Sequence, residues 1–231
     1  MQKLLLFLIV LPLFSIAQDC KSFYYLSNNS EVKMTVYDKK GNESGVQTWK
    51  ISDVKKNGNS YESTINSSFI DEKGKEIAKG NGTYKCENGV LKADMQMSIP
   101  PQQMGPYKDA EVKMDPAYIE YPSSPTVGQT LNDADFKMDV ESKNALTTTI
   151  TFKETNRKVD SKEKITTPAG TWDAFVISYD SQFKAQIGPI GVPINSKVKE
   201  WFVPNFGIVK TETYSKGGKL EGSTQLTSIQ K

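Results

Sequence analysis

The sequence predicts a nearly all-β protein, a curved antiparallel meander or incomplete β-barrel. Three observations carry this. Turn signals recur at a hairpin rhythm: Lys40-Gly41-Asn42, Asn57-Gly58-Asn59, Lys73-Gly74-Lys75 and Asn88-Gly89 lie roughly 15 residues apart, and Lys216-Gly217-Gly218 follows near the end. Between them apolar and polar residues alternate with period two, as in half-buried strands. No segment sustains an apolar repeat of 3.6 residues over three turns.

The first element is not part of the fold. Lys3, the apolar run Leu4 to Phe14 and the small residues of Ser15-Ile16-Ala17 read as a signal peptide over residues 1–17. The run is short of the roughly 20 residues a membrane-crossing helix requires. Cleavage after Ala17 leaves Gln18-Asp19-Cys20, and Asp19 argues against lipidation of Cys20, which needs a small residue before it. Export to a periplasm or beyond puts Cys20 and Cys86 in an oxidising compartment, where they are expected to form a disulfide of about 3–5 kcal/mol. No later stretch resembles a membrane span, so the exported chain is expected to be soluble or peripheral to the outer membrane.

Residues 18–231 are expected to form one β-rich domain. Val32, Met34 and Val36 share a strand face; so do Trp49 and Ile51, then Tyr61, Ile65 and Phe69, then Leu91, Ala93, Met95, Met97 and Ile99. Residues 99–131 carry Pro100, Pro101, Pro106, Pro116, Pro122 and Pro125, a density that predicts a surface connector. Ile150 and Phe152 alternate with threonines. The polar run Lys153 to Lys164, which holds the lone arginine, Arg157, reads as a solvated hairpin tip. Trp172, Ala174 and Val176 oppose Phe175, Ile177 and Tyr179, so this strand is expected to be central and covered on both faces. The apolar stretch Ile187 to Ile194 is broken by two glycines and two prolines; it reads as a loop that caps the core or offers apolar side chains to a ligand, lipid surface or partner. Glu200 and Trp201 are expected to point outward and inward along one strand.

Composition removes several chemistries. With no histidine there is no Ser-His-Asp or Cys-His catalysis and no histidine metal ligand. A net charge of +2, with lysines and acids interspersed, argues against nucleic-acid binding. Met95, Met97, Met104 and Met114 could ligate copper(I) but read better as apolar packing. Asp133, Asp135, Asp139 and Glu141 lack the spacing of a calcium loop. Gly41-Asn42-Glu43-Ser44-Gly45 has the wrong spacing for a nucleophile elbow, and no carboxylate pair stands out for a hydrolase. No catalytic residue, metal or cofactor is expected. The expected site is a hydrophobic cleft lined by Met95, Met97, Met104, Ile187, Ile190, Val192, Ile194 and Trp201, holding a lipid-like small molecule. The rival reading is an envelope assembly component that docks a protein partner through the apolar loop.

Two motifs carry a family resemblance: Thr167-Pro168-Ala169-Gly170-Thr171-Trp172-Asp173-Ala174-Phe175, and Lys199-Glu200-Trp201-Phe202-Val203-Pro204-Asn205-Phe206-Gly207-Ile208-Val209-Lys210. With Tyr121-Pro122 and Val127-Gly128-Gln129, they make the chain similar to the DUF3108-like or TapB-like exported proteins of Bacteroidota, well over residues 120–215 and loosely before. The resemblance implies a curved sheet or incomplete barrel, similar to envelope lipoprotein-carrier folds whose concave face holds acyl chains. It implies no activity.

Overall fold

The structure, a computed structural model, describes Cys20 and residues 23–99, 111–141 and 147–231, with residues 111–114 described by their backbone. The signal-peptide reading and Met104 lie outside the described residues.

Among the described residues, thirteen strands form one antiparallel sheet. The N-terminal strands are β1 (Glu31–Asp38), β2 (Glu43–Asn57), β3 (Ser60–Asp71), β4 (Glu76–Glu87) and β5 (Val90–Asp94). Then come β6 (Glu111–Met114) and β7 (Tyr118–Pro122), followed by β8 (Ala134–Glu141), β9 (Thr148–Thr167), β10 (Gly170–Ile187), β11 (Ile190–Val203), β12 (Gly207–Ser215) and β13 (Leu220–Gln230). The order across the sheet is β6-β8-β9-β10-β11-β12-β13-β1-β2-β3-β4-β5-β7, so the last strand pairs with the first of the N-terminal meander. The turns follow the predicted chemistry: Gly41, Gly58, Gly74, Asn88, Gly89 and Gly218 all have positive φ, which non-glycine side chains other than Asn and Asp seldom tolerate.

The two edges, β6 and β7, are consecutive in sequence, and the sheet curls until they nearly meet. Past β7 the chain bonds to β9 beyond the end of β8: Gly128 N–H donates to the Val159 carbonyl (2.8 Å), Val159 N–H to Gln129 (2.9 Å) and Leu131 N–H to Arg157 (2.9 Å). The Pro-rich connector therefore needs correction, because it holds both edge strands and this seam. Of its described prolines, Pro116 and Pro125 lie outside the strands and Pro122 takes the last position of β7, where a ladder bond is dispensable.

A bulge explains one further correction, and strand alternation another. In β9, Thr148, Ile150, Phe152 and Glu154 are buried in step, but Asn156 adopts positive φ (58°) and both it and Arg157 face Tyr179 of β10. The extra residue shifts the phase, so Arg157 and Val159 point inward. Arg157 is 0% exposed, not a solvated tip. A second bulge leaves Asp160 of β9 as the extra residue opposite Val176 and Ile177, while β10 keeps unbroken register with β11. Val176 pairs with Trp201 and Ile177 with Glu200, so β10 buries residues on both of its faces. In β11, plain alternation from Ile194 through Ser196 and Val198 brings Glu200 to the inner face, and Glu200, Trp201 and Phe202 are all buried. Glu200 does not face solvent. The predicted strand through Ile99 also ends early: Asp94 accepts from Gln96 N–H (3.0 Å) and starts a 3-10 turn at Met95–Ser98.

One end of the barrel is plugged. Cys20 is disulfide-bonded to Cys86 on β4, as expected from the compartment, and a 3-10 turn at Tyr24–Leu26 lies under the sheet. Tyr25 stacks on Tyr84 (centroids 4.7 Å apart, planes at 11°), and its carbonyl accepts from the Ser63 hydroxyl (2.6 Å). The plug depends on a missing side chain, since a Cβ at Gly207 would lie 2.6 Å from the Tyr25 ring.

Candidate functional site

The concave side of the sheet is hollow. It encloses a cavity of about 450 Å³, within the usual 300–1,000 Å³ of small-molecule sites. Strand alternation builds its wall. Ile194, Ser196, Val198 and Glu200 line it from β11, and Tyr179, Ser181 and Phe183 from β10. Met34 and Val36 of β1 and Thr211 and Thr213 of β12 complete much of the remainder. Asp38 and Glu221, at the β1–β2 and β12–β13 hairpins, mark the open mouth. Tyr84, stacked on the plug, marks the closed end. Gly82 on β4 has no Cβ because Met97 would lie 2.8 Å from it; this lets Met97 close over the strand and reach the cavity.

Glu200 is 6% exposed and faces the cavity from β11. Its two oxygens accept from the hydroxyls of Tyr179 (2.8 Å) and Tyr121 (3.0 Å). Behind the Tyr121 ring lies Arg157, its guanidinium carbon 5.1 Å from the ring centroid. Arg157 Nη1 donates to the carbonyls of Asn132 (2.8 Å) and Glu120 (3.2 Å), tying β9 to the closing edge. Its Nε lies 3.8 Å from the buried carboxyl of Glu154. Two buried carboxyls thus share one guanidinium. Burial, and then the charge of Glu200, push Glu154 up to about 8 against the pull of Arg157. Burial also raises Glu200, but the tyrosine hydroxyls and Arg157 favour its charged form. Glu154 has no hydrogen-bond partner for either oxygen, whereas both oxygens of Glu200 accept from a tyrosine hydroxyl. Burial raises Asp94 too, and Tyr84 is raised by burial and then by the charges of Glu200 and Asp94.

The expected site residues separate into three groups. Met97 and Ile194 line the cavity. Ile187, Ile190 and Val192 stand on the β10–β11 hairpin, which projects past the mouth: β12 pairs with β11 only from Ser196 onward, so Pro193 costs no bond on that side. Ile190 and Val192 are 75% and 78% exposed. This stretch is therefore a regular hairpin ribbon, not the irregular loop expected, and it does not cap the core. Met95 is buried in the core. Trp201 is buried outside the cavity wall, where its indole N–H donates to Glu163 (2.5 Å) under Lys210. Sequence reasoning missed Tyr84, Tyr121, Tyr179 and Glu154. The available signal was the pairing of aromatic hydroxyls with acids on strands that alternation alone would place face to face.

A protein-family model described as DUF3108-like matches residues 28–226. The fold is shared with a candidate lipoprotein of Parabacteroides distasonis (TM-score 0.75, 23% identity, covering 89% of this chain and 96% of that one). It is shared as well with a candidate exported protein of Bacteroides fragilis described as having a YmcC-like fold (TM-score 0.72, 20% identity, 89% and 97% covered). The search of curated proteins finds no match. No helix among the described residues is long and apolar enough to cross a membrane.

Proposed function

The chain belongs to the DUF3108-like family, and from that premise we propose that it is an exported, non-enzymatic binding protein of the cell envelope that holds an elongated, mostly apolar small molecule inside the barrel. The observation that carries this reading is the cavity itself. A curled sheet of this many strands is wider than side chains alone fill, and about 450 Å³ stays open, walled by Met34, Ile99, Ile119, Phe152, Phe183 and Val198. Burying an alkyl chain there contributes roughly 0.8 kcal/mol per CH2. The plugged end limits how far a ligand enters. At the mouth, Ile187, Ile190, Val192 and Ile194 form an apolar lip, with Ile194 continuous with the cavity wall, over which an apolar molecule enters without crossing a polar rim on that side. Docking of an envelope partner on the same exposed lip is the second reading.

The test uses N-phenyl-1-naphthylamine, an uncharged dye that fluoresces in apolar surroundings. Wild type is expected to bind it with micromolar affinity, and Ser196→Trp, which fills the middle of the cavity, to weaken binding at least tenfold while leaving the unfolding midpoint within a few degrees. No enhancement in wild type, or undiminished binding in Ser196→Trp, overturns the proposal.

A further inference from the structure

We infer that the cavity selects an amphiphile with a cationic head, an organic ammonium on an apolar body, and rejects the fatty-acid type of ligand that an acyl-chain site would suggest. This rests on the binding reading above and adds the charge of the ligand. The charge of the wall is one-sided: among the described residues Asp38, Asp94, Glu200 and Glu221 line the cavity, and no lysine or arginine does. That is not a reflection of composition, since the sequence has more basic than acidic residues, 29 against 27. The cation nearest the wall among the described residues, Arg157, lies behind the Tyr121 ring and does not line the cavity; its Nη1 is spent on the carbonyls of Glu120 and Asn132.

The carboxylates are placed at both ends of the path. Asp38 sits at the mouth, ionised and held by the backbone N–H groups of Lys40 (2.8 Å) and Asn42 (2.9 Å), with Glu221 nearby on the next hairpin. Glu200 lies in the wall between Tyr121 and Tyr179, with Asp94 and Tyr84 toward the plug. An ammonium entering this space meets acceptors and the rings of Trp49, Tyr84 and Tyr179, which attract a cation through their quadrupoles. A carboxylate or phosphate head meets no compensating charge and is repelled by the wall in a low-dielectric space, where that repulsion is only weakly screened.

The experiment is displacement of N-phenyl-1-naphthylamine at pH 7 by three chain-matched probes below their micelle concentrations: decyltrimethylammonium, decanol and decanoate. The expected order is ammonium tightest, then alcohol, then acid, with at least a tenfold gap between the first and last. Glu200→Gln and, separately, Asp94→Asn are expected to narrow that gap at least threefold while decanol affinity changes little; two variants guard against one that does not fold. Decanoate binding as tightly as the ammonium, or a gap unmoved in both variants, overturns the inference and leaves the binding reading standing. Failure of wild type to bind the dye and all three probes overturns both.

Discussion

Replacing Glu154 by glutamine should change the pH dependence of stability in a way that no surface substitution can. Glu154 is 1% exposed, beside Arg157 and in the field of Glu200. An unfolded glutamate titrates near its ordinary value of 4.5, whereas in the fold burial pushes Glu154 up to about 8. Between those values the folded state holds a proton that the unfolded state has released. Stability therefore falls as pH rises through the window, and the loss is complete above about pH 8. At roughly 1.4 kcal/mol per pH unit the ceiling is about 5 kcal/mol, and relaxation around the charge lowers it, so about 2–5 kcal/mol is expected. Glutamine keeps the shape of the neutral acid and does not titrate. Urea unfolding followed by tryptophan fluorescence should find Glu154→Gln within about 1 kcal/mol of wild type at pH 5 and more stable by about 2–5 kcal/mol at pH 8.5. The reasoning is refuted if wild type and variant run parallel from pH 5 to 8.5. It is equally refuted if the variant is the weaker one at high pH, which would make Glu154 an ionised partner of Arg157.

Two further predictions concern the seam and the plug. Arg157→Met removes the cation shared by two buried carboxyls and the bonds to Glu120 and Asn132; it should destabilise by about 3–5 kcal/mol at pH 8 and less at pH 5. Adding Glu154→Gln should restore part of this, and a double-mutant cycle in urea showing simple additivity would remove the coupling. Opening the Cys20–Cys86 disulfide, which spans 66 residues, should lower stability by about 4 kcal/mol in the chain-entropy model; an unchanged urea midpoint with both thiols titrated free would contradict it.

The hairpins were legible because each rests on local chemistry. Asn88-Gly89 turns the chain whatever surrounds it, since few other residue pairs accept positive φ at both positions. The buried polar cluster was not legible. Alternation from Ile150 through Phe152 and Glu154 puts Arg157 outside, and only the positive φ of Asn156, with two residues set against Tyr179, brings it in. An Asn in a polar run is a weak sign of such a bulge, because Asn serves as well on an exposed strand face.

By itself, then, the sequence determined most of the strands and their turns, the disulfide and the absence of histidine chemistry, because each depends on neighbouring residues or on composition alone. Tertiary structure decided how far the sheet curls, and so whether its concave side is filled or open. It also decided which charges face inward. Both depend on the register between strands distant in sequence, and a single bulged residue changes every side chain beyond it from one face to the other.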